Sequence, residues 1–135
     1  MEEHPNAKIV REGFDAFLAG DIEWLNEHLH ENIVWHSPGS NVLSGDYHGR
    51  ENVLAFFAKT VQIMRPGFDI HDVLANDDHV VVLLTVNDTR NDNGDTWEGK
   101  GASIFHVDAE GRALEVWTLS EDQAGFDAFL QGAGA

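Results

Sequence analysis

The chain contains no cysteine, which excludes disulfide frameworks, thiolate metal centres and thiol nucleophiles. Basic residues are also scarce: eight Lys and Arg stand against 24 Asp and Glu, for a formal net charge of −16 at pH 7. Because nucleic-acid phosphates and anionic lipid surfaces repel such a chain, we expect neither a nucleic-acid nor a membrane partner. No apolar run approaches the roughly 20 residues that a membrane-spanning helix needs.

The remaining composition is typical of one folded domain. The 135 residues leave room for a single domain over 1–135, and 42% hydrophobic residues is ordinary globular usage. The chain opens with Glu2 and Glu3 where a signal peptide would be basic, so we expect a cytoplasmic location. The acidic residues are scattered and form no acidic tail, which favours a role in solubility.

Four helices are predicted: two at the start of the chain, a third before the long strands, and a short one at the end. Apolar residues at helical spacing predict a first helix over 5–19, and Asp21 can cap a short second helix. A third helix follows Gly49 and ends at Pro66-Gly67. The pattern Ser120-x-x-Gln123 is a capping box and predicts a short C-terminal helix.

Most of the remaining sequence is typical of β-strands. A short strand is predicted over 33–37, followed by a loop over 38–48. Turn-rich segments of Asn, Asp and Gly separate four longer strands, predicted over 68–75, 79–88, 96–107 and 112–119. Residues 80–84 are apolar on both faces, so we expect cover on both sides, one cover being another subunit. Helices followed by a run of antiparallel strands indicate an α+β fold.

Several phrases along the chain are distinctive: Ala19-Gly20-Asp21 followed by Trp24, Val34–Gly39, Leu43–Gly49, Val53-x-x-Phe56-Phe57, and Glu115-x-Trp117 leading to Asp122-Gln123. Together they resemble the SnoaL-like (polyketide-cyclase-like) branch of the nuclear-transport-factor-two-like superfamily, over nearly the whole chain. The resemblance implies a strongly curved antiparallel sheet wrapped around three helices as a cone with an internal pocket. It does not fix the reaction, because the superfamily holds isomerases, cyclases, epoxide hydrolases, dehydratases and non-catalytic binding domains.

The chain departs from one well-understood member of that superfamily. The ketosteroid isomerases use an Asp base before the Pro that ends the first strand, a Tyr on the first helix and a protonated Asp on a late strand. Here those positions hold Ser37, the Gly-Phe pair 13–14, and Ser103. Steroid isomerisation by that apparatus is therefore not expected. The cyclases of the branch are implied to use an Asp near the end of the last strand, for which Asp122, or its neighbour Glu121, is the nearest match.

His36 is the predicted acid–base residue. It stands beside Trp35 at the mouth of the expected pocket, and a reference pKa of roughly 6.5 suits proton transfer near neutrality. Strict alternation would instead place Trp35 and Ser37 on the pocket face and His36 on the other face, as a hydrogen-bonded structural histidine. Asp122 would orient His36 or act as the base, unless it only stabilises the first turn of the last helix.

An apolar pocket with few polar groups is predicted for the interior of the cone. Ser37 and Tyr47 would polarise the substrate. The aromatic residues would line the pocket, and the alternative for most of them is that their side chains fill it. By alternation, Trp117 faces away from it and is a candidate for a dimer surface. The residues expected to contact substrate are Trp35, Ser37, Tyr47, Phe57, Ser103, Phe105, Val116 and Thr118.

A metal site is weighed and set aside. His28-x-His30 together with His36 suggests a ligand cluster, but histidines two apart at a helix end point in different directions. Exposed single histidines explain the pattern better, so we predict no metal and no cofactor.

The sequence thus predicts a cofactor-free enzyme acting by general acid–base catalysis on an apolar carbonyl, enol or epoxide substrate. Cyclisation, isomerisation or hydrolytic addition of water would be the chemistry. The alternative is a non-catalytic ligand-binding or dimerising domain of the same fold, and a third option is a structural dimer whose aromatics fill the pocket. A homodimer through the convex sheet face is expected, because exposed residues such as Val81 and Leu83 would need cover.

Overall fold

Residues 3–134 are described by a computed structural model of the chain. They form a strongly curved sheet with helices, and the predicted α+β order of helices first and long strands afterwards is confirmed. In chain order the elements are α1 (Pro5–Ala19), α2 (Ile22–His28), β1 (Leu29–Ser37), β2 (Gly45–His48), α3 (Arg50–Ile63), β3 (Met64–Arg65), β4 (Phe68–Ala75), β5 (His79–Arg90), β6 (Thr96–Val107), β7 (Ala113–Ser120) and α4 (Gln123–Phe129).

The ends of the first two helices follow from local chemistry. Pro5 occupies the first position of α1, where its missing N–H costs no hydrogen bond. The helix ends at Gly20, whose φ of 69° lies in the left-handed region that glycine tolerates best. The Asp21 carboxylate then accepts from the backbone N–H of Trp24 at 3.1 Å and so caps α2.

The structure differs from the prediction around the first strand. β1 begins at Leu29, directly after α2, and is four residues longer than predicted. The expected loop over 38–48 contains β2, which pairs antiparallel with β1. The two-residue strand β3 was not expected either, and it pairs with the end of β5. Strands this short carry no hydrophobic alternation by which a sequence could reveal them.

The seven strands form one sheet in the order β2-β1-β7-β6-β5-β3, with β4 also paired to β5. β1 and β7 run parallel, whereas the other neighbours are antiparallel. The register shifts within three of the pairings, β1–β7, β4–β5 and β6–β7. Such irregularities bend strands and increase their twist, which allows the sheet to curl around the helices.

Alternation along β5 separates the two faces of the sheet. Val80, Val82 and Leu84 point to the inner face, which is covered by helices, and are almost fully buried. Leu83 points to the outer face and keeps 40% of its surface exposed. The strand is therefore apolar on both faces, as predicted, but residues 3–134 cover only its inner face.

The C-terminal segment is anchored by a buried arginine. The guanidinium of Arg90 donates to the backbone carbonyls of Phe129 and Gln131, each at 2.9 Å. Leu130 and Ala133 pack into a second apolar cluster away from the main core. These contacts fix α4 across one end of the cone. None of the helices formed by residues 3–134 combines the length and apolar character that a membrane crossing demands.

Candidate functional site

A cavity of about 260 Å³ lies between the inner face of the sheet and the helices. Its wall is mainly apolar and rich in aromatic rings, which is typical of a site for a small apolar molecule. The cavity also excludes the option in which the protein's own aromatics fill the interior. The aromatic residues of the wall include Phe14, Phe17, Trp35, Phe57, Phe68, Trp97 and Phe105.

Six of the eight predicted substrate-contacting residues line this cavity: Trp35, Ser37, Phe57, Ser103, Phe105 and Thr118. Val116 does not line it, because its side chain is fully buried in the core. Tyr47 does not line it either. Its ring stacks on Phe56 with centroids 4.3 Å apart, and its hydroxyl donates to the carbonyl of Leu43 at 2.8 Å. Contact of the six wall residues with a substrate stays a prediction.

His36 lies on the outer face of the sheet, which corrects its expected placement at the mouth of the pocket. Alternation holds up to the end of β1, so Trp35 faces the cavity and His36 faces away from it. Its ring stacks on Trp117 with centroids 5.7 Å apart. Nδ1 lies 2.7 Å from the carboxylate of Asp46, and Nε2 lies 2.6 Å from that of Glu115.

Both hydrogen-bond partners of His36 are carboxylates, which only accept when ionised. The two ring nitrogens must then both donate, so this arrangement holds His36 as an imidazolium. The hydrogen bond to Glu115 and then that to Asp46 raise the pKa of His36 above its usual 6.5. The residue therefore links β1 to β2 and to β7, and it has no lone pair with which to remove a proton from a substrate.

Asp122 caps a helix and does not face the cavity. Its Oδ1 accepts from the backbone N–H of Gly125 at 2.8 Å, at the start of α4. The predicted capping box does not form: the N-cap is Asp122, two residues after Ser120, and the third helical residue is Gly125, which has no side chain to complete the box. Gln123 lines the cavity, and its amide donates to Asp127 at 2.9 Å.

Asp88 is the carboxylate that sequence reasoning missed. It lies near the end of β5 on the cavity wall and is 4% exposed. Its Oδ1 is buried and has no hydrogen-bond partner among residues 3–134. Burial raises the pKa of Asp88 from 3.8 to about 6, and a backbone hydrogen bond from Gly67 lowers it in part.

The sequence contains a signal for this residue. The inner face of β5 reads Val80, Val82, Leu84 and Val86 at a period of two, and Asp88 is the next residue in that series. A carboxylate that continues a buried apolar series is costly to ionise, and such residues are concentrated at functional sites.

Among residues 3–134, no charged side chain pairs with Asp88. Arg90 shares its face of the strand, but the guanidinium is held by Asp92 at 2.9 and 2.6 Å and by two C-terminal carbonyls. The guanidinium is therefore committed elsewhere, and the carboxylate of Asp88 faces an apolar space. Buried charges are usually paired, so an unpaired one is a strong candidate for a functional group.

The histidines considered as metal ligands have local partners. His28 stacks on Trp24 with centroids 3.8 Å apart, and its Nδ1 lies 2.8 Å from the carbonyl of that residue. His30 Nδ1 accepts from the backbone of Asn32 at 3.0 Å. In the described part of the chain, no group of three or more His, Cys, Asp or Glu side chains is arranged to hold a metal ion.

Comparison with known families agrees with this architecture. The sequence profile of the SnoaL-like domain matches residues 10–116, which is most of the chain. The chain belongs to the SnoaL-like domain family. No curated protein matches the chain.

Solved structures place this SnoaL-like domain among NTF2-like folds. Bal32a, from a soil-derived mobile gene cassette, is 29% identical, with a TM-score of 0.80 over 93% of this chain and 95% of its own. An NTF2-like protein of unknown function from Burkholderia pseudomallei is 22% identical, with a TM-score of 0.84 over 96% and 100%. A Mycobacterium tuberculosis protein in complex with estradiol-17β-hemisuccinate is 21% identical, with a TM-score of 0.75 over 90% and 98%.

Three hydroxyls of the SnoaL-like cavity lie together, far from Asp88. Ser103 pairs directly with Thr118, and Ser37 lies at the adjoining position of β1, so these three hydroxyls form a row across the wall. Ser103 also pairs with Val82, six residues before Asp88 along β5. At ~3.3 Å per residue, the row lies roughly 20 Å along the strand from the carboxylate. Asp88 thus lies at the end of the cavity nearest α4, away from the hydroxyls.

Proposed function

We propose that this SnoaL-like domain binds an apolar small molecule in its cavity and catalyses a proton transfer without a cofactor, with Asp88 as the base. The observation that carries the proposal is the buried, unpaired Oδ1 of Asp88 on the wall of an apolar cavity. With a pKa of about 6, Asp88 is mostly ionised near neutrality and still basic enough to accept a proton. The catalytic role expected for His36 and Asp122 passes to Asp88.

The substrate class follows from the wall of the cavity and from the charge of the chain. A wall of aromatic and aliphatic side chains favours an apolar skeleton. A net charge of −16 disfavours anionic substrates. Carbonyl, enol and epoxide compounds fit both conditions, with isomerisation, cyclisation or hydrolysis as the reaction. The steroid ester bound by the M. tuberculosis protein supports binding of apolar ring systems in this fold.

Exchange of an activated α-hydrogen tests the assignment of Asp88. β-Tetralone is a suitable probe, because it is an apolar bicyclic ketone whose α-hydrogens exchange with D₂O through an enolate. We expect the wild-type chain to accelerate this exchange, measured by proton NMR, and Asp88→Asn to lower the rate by about a hundredfold or more. His36→Gln is the control, and it should keep the wild-type rate.

The same measurement gives the pH dependence. Asp88 acts as a base only when ionised, so the rate should rise with pH and level off above about 6. Asp88→Asn with wild-type activity, or loss of activity in His36→Gln alone, would contradict the assignment.

A non-catalytic binding domain is the second candidate. It is favoured by the absence of the isomerase residues, since Ser37 and Ser103 stand where that apparatus has carboxylates. This candidate predicts that β-tetralone binds in the cavity without accelerated exchange. The binding-domain candidate would be supported over the enzyme if the wild-type chain bound β-tetralone in an NMR titration and the exchange rate equalled that in buffer alone.

We also propose that the domain forms a homodimer through the outer face of its sheet. A continuous apolar row crosses four strands there, since Leu74 pairs with Val81, Val81 with Ile104, and Ile104 with Trp117. In the next row, Ala102 of β6 pairs with Leu83 of β5 on one side and with Leu119 of β7 on the other. Leu74, Leu83 and Leu119 are 53%, 40% and 54% exposed, and a contiguous apolar face of this kind is typical of a protein interface.

A cytoplasmic location completes the proposal, because a chain without cysteine has no disulfide that would need an oxidising compartment.

A further inference from the structure

Trp97 stands directly opposite Asp88 at the same end of the cavity. The two residues are paired in the register of β5 and β6, and both line the cavity wall. Directly paired residues of antiparallel strands have Cβ atoms roughly 4.5–5.5 Å apart, on the same face of the sheet. The indole therefore lies beside the carboxylate that the proposed function uses.

Two glycines leave the space that the indole occupies. A Cβ atom added at Gly99 would lie 2.9 Å from Nε1 of Trp97, and one added at Gly125 would lie 2.8 Å from Cη2. The N–H edge of the ring thus lies over the inner face of β6, while the far edge rests against α4. Phe126 and Phe129 pack around the ring with centroids 6.0 and 6.3 Å away.

The indole N–H of Trp97 makes no hydrogen bond with the described residues. The hydrogen bonds of its neighbours along the chain join Asn93 to Asp95 and Lys100 to Glu121. The buried Oδ1 of Asp88 has no partner either. The indole N–H is therefore an unused donor and Oδ1 of Asp88 an unused acceptor. The two residues line the cavity at directly paired positions, and the two groups do not bond to each other. A bound molecule that carries an acceptor beside an acidic hydrogen would satisfy both groups.

We propose that Trp97 is a second catalytic residue, which binds the carbonyl oxygen of an enolisable ketone while Asp88 removes a proton from the adjacent carbon. This inference rests on the proposed function of Asp88. The C–H electron pair becomes the new C=C bond, and the carbonyl π electrons move to the oxygen. The resulting enolate oxygen is stabilised by the indole N–H. The carboxyl of Asp88 exchanges its new proton with solvent and then protonates the carbon, so that in D₂O the carbon receives a deuteron.

The same pair of groups argues against the other substrate classes. An amine would pair with Asp88 but would leave the indole N–H without an acceptor. An epoxide would accept from Trp97, but its hydrolysis needs an attacking water held beside Asp88 by a further polar group. The hydroxyls of Ser37, Ser103 and Thr118 lie roughly 20 Å farther along the strand. The Gln123 amide also lines the cavity, but its NH2 group already donates to the carbonyl of Pro38 and to Asp127.

Trp97→Phe tests the role, because it keeps an aromatic ring and removes the N–H. Tetralin shares the skeleton of β-tetralone but has no carbonyl, so it reports packing alone. We expect Trp97→Phe to lower the α-exchange rate of β-tetralone by about tenfold to a hundredfold, as loss of one donor to an oxyanion does. Affinity for tetralin, measured by NMR titration, should be unchanged. Trp117→Phe, on the outer face, is the matched control and should alter neither value.

Gly99→Ala provides a second variant that leaves Trp97 in the sequence. The added methyl group would displace the N–H edge, so the exchange rate should fall as in Trp97→Phe. Thermal unfolding followed by circular dichroism checks that each variant is folded.

The outcomes separate this inference from the proposed function. If Trp97→Phe keeps the wild-type exchange rate while Asp88→Asn loses it, the role of Trp97 is overturned and Asp88 remains the base. If the wild-type chain does not accelerate exchange, the proposed catalysis fails. The binding affinities then decide about Trp97. If Trp97→Phe binds β-tetralone more weakly but tetralin as tightly as the wild type does, the donor role is supported. If the wild type binds β-tetralone and tetralin equally tightly, the donor role is overturned.

Discussion

At the scale of single residues, Asp88 combines a functional advantage with a cost in stability. Its carboxylate has left water for an apolar cavity and has received one backbone hydrogen bond in return. The rise in pKa from 3.8 to about 6 corresponds to about 3 kcal/mol that disfavours the folded state once the group is ionised. Residues that lower stability at a cavity wall are retained where chemistry requires them.

Asp88→Asn should therefore be more stable than the wild type at pH 7. Between about pH 4 and 6 the folded chain holds a proton that the unfolded chain has released, so wild-type stability falls as pH rises through that range. The amide resembles the protonated carboxyl and does not titrate. We expect a gain of up to about 3 kcal/mol at pH 7 that disappears near pH 4, measured by urea unfolding. A variant less stable than wild type at pH 7 would show that the ionised carboxylate is stabilised in the fold.

The residue scale also shows where sequence reasoning succeeds and where it fails. Six wall residues could be predicted. Five lie on strands, where side chains alternate between inside and outside, and the sixth, Phe57, lies on the apolar stripe of α3. The same rule places His36 outside, yet its chemistry made it the preferred catalytic candidate. Asp88 was overlooked because the apolar stretch was followed only over residues 80–84, short of the carboxylate that continues it. The pKa of a carboxyl depends on burial and partners, which a sequence does not state.

At the scale of elements, the long helices and strands were predictable and the short ones were not. α1 and β4 were predicted with the bounds that the structure shows, because their apolar periods run over several turns or pairs. The parallel pairing of β1 with β7 depends on contacts between residues about 80 positions apart, as between Trp35 and Val116. Such pairing leaves no local pattern in the sequence, although it decides where His36 points.

The His36 imidazolium should stabilise the junction of β1, β2 and β7 in a pH-dependent way. Its pKa is raised in the folded state by Glu115 and Asp46. The stabilisation is therefore complete below the unfolded pKa of about 6.5, and it is lost as pH rises through the higher folded-state value. Glu115 and Asp46 are partly exposed, so solvent screening reduces the effect to roughly 1 kcal/mol.

Urea unfolding of His36→Gln at pH 6 and pH 9 measures this contribution. We expect the variant to be less stable than the wild type at pH 6, and the difference to shrink at pH 9. Asn32 is exposed on the same strand, so Asn32→Gln is a neutral reference with no ionisable group changed. A difference of equal size at both pH values would show that packing of the ring on Trp117, and not its charge, is what the variant loses.

At the scale of the whole molecule, charge and apolar surface act against each other. Each chain carries a net charge of −16, so two chains repel at long range. The outer face nevertheless exposes leucines from β4, β5 and β7 that the described part of the chain leaves uncovered. Salt screens the repulsion between the chains, with a Debye length of about 10 Å at 0.1 M salt. The burial of apolar surface is not screened. Association should therefore strengthen as salt concentration rises.

Light scattering of the purified chain tests the homodimer at the level of mass. We expect a species of twice 15.0 kDa at micromolar concentration, and a dissociation constant that falls between low and high salt. Leu119→Glu adds a charge to the outer face and should yield the monomer. Leu18→Glu is the matched control, because Leu18 is 50% exposed on α1, away from that face, and it should leave the dimer intact. A monomeric wild type at high salt, or a dimer in which only Leu18→Glu causes dissociation, would contradict an interface built on the outer face.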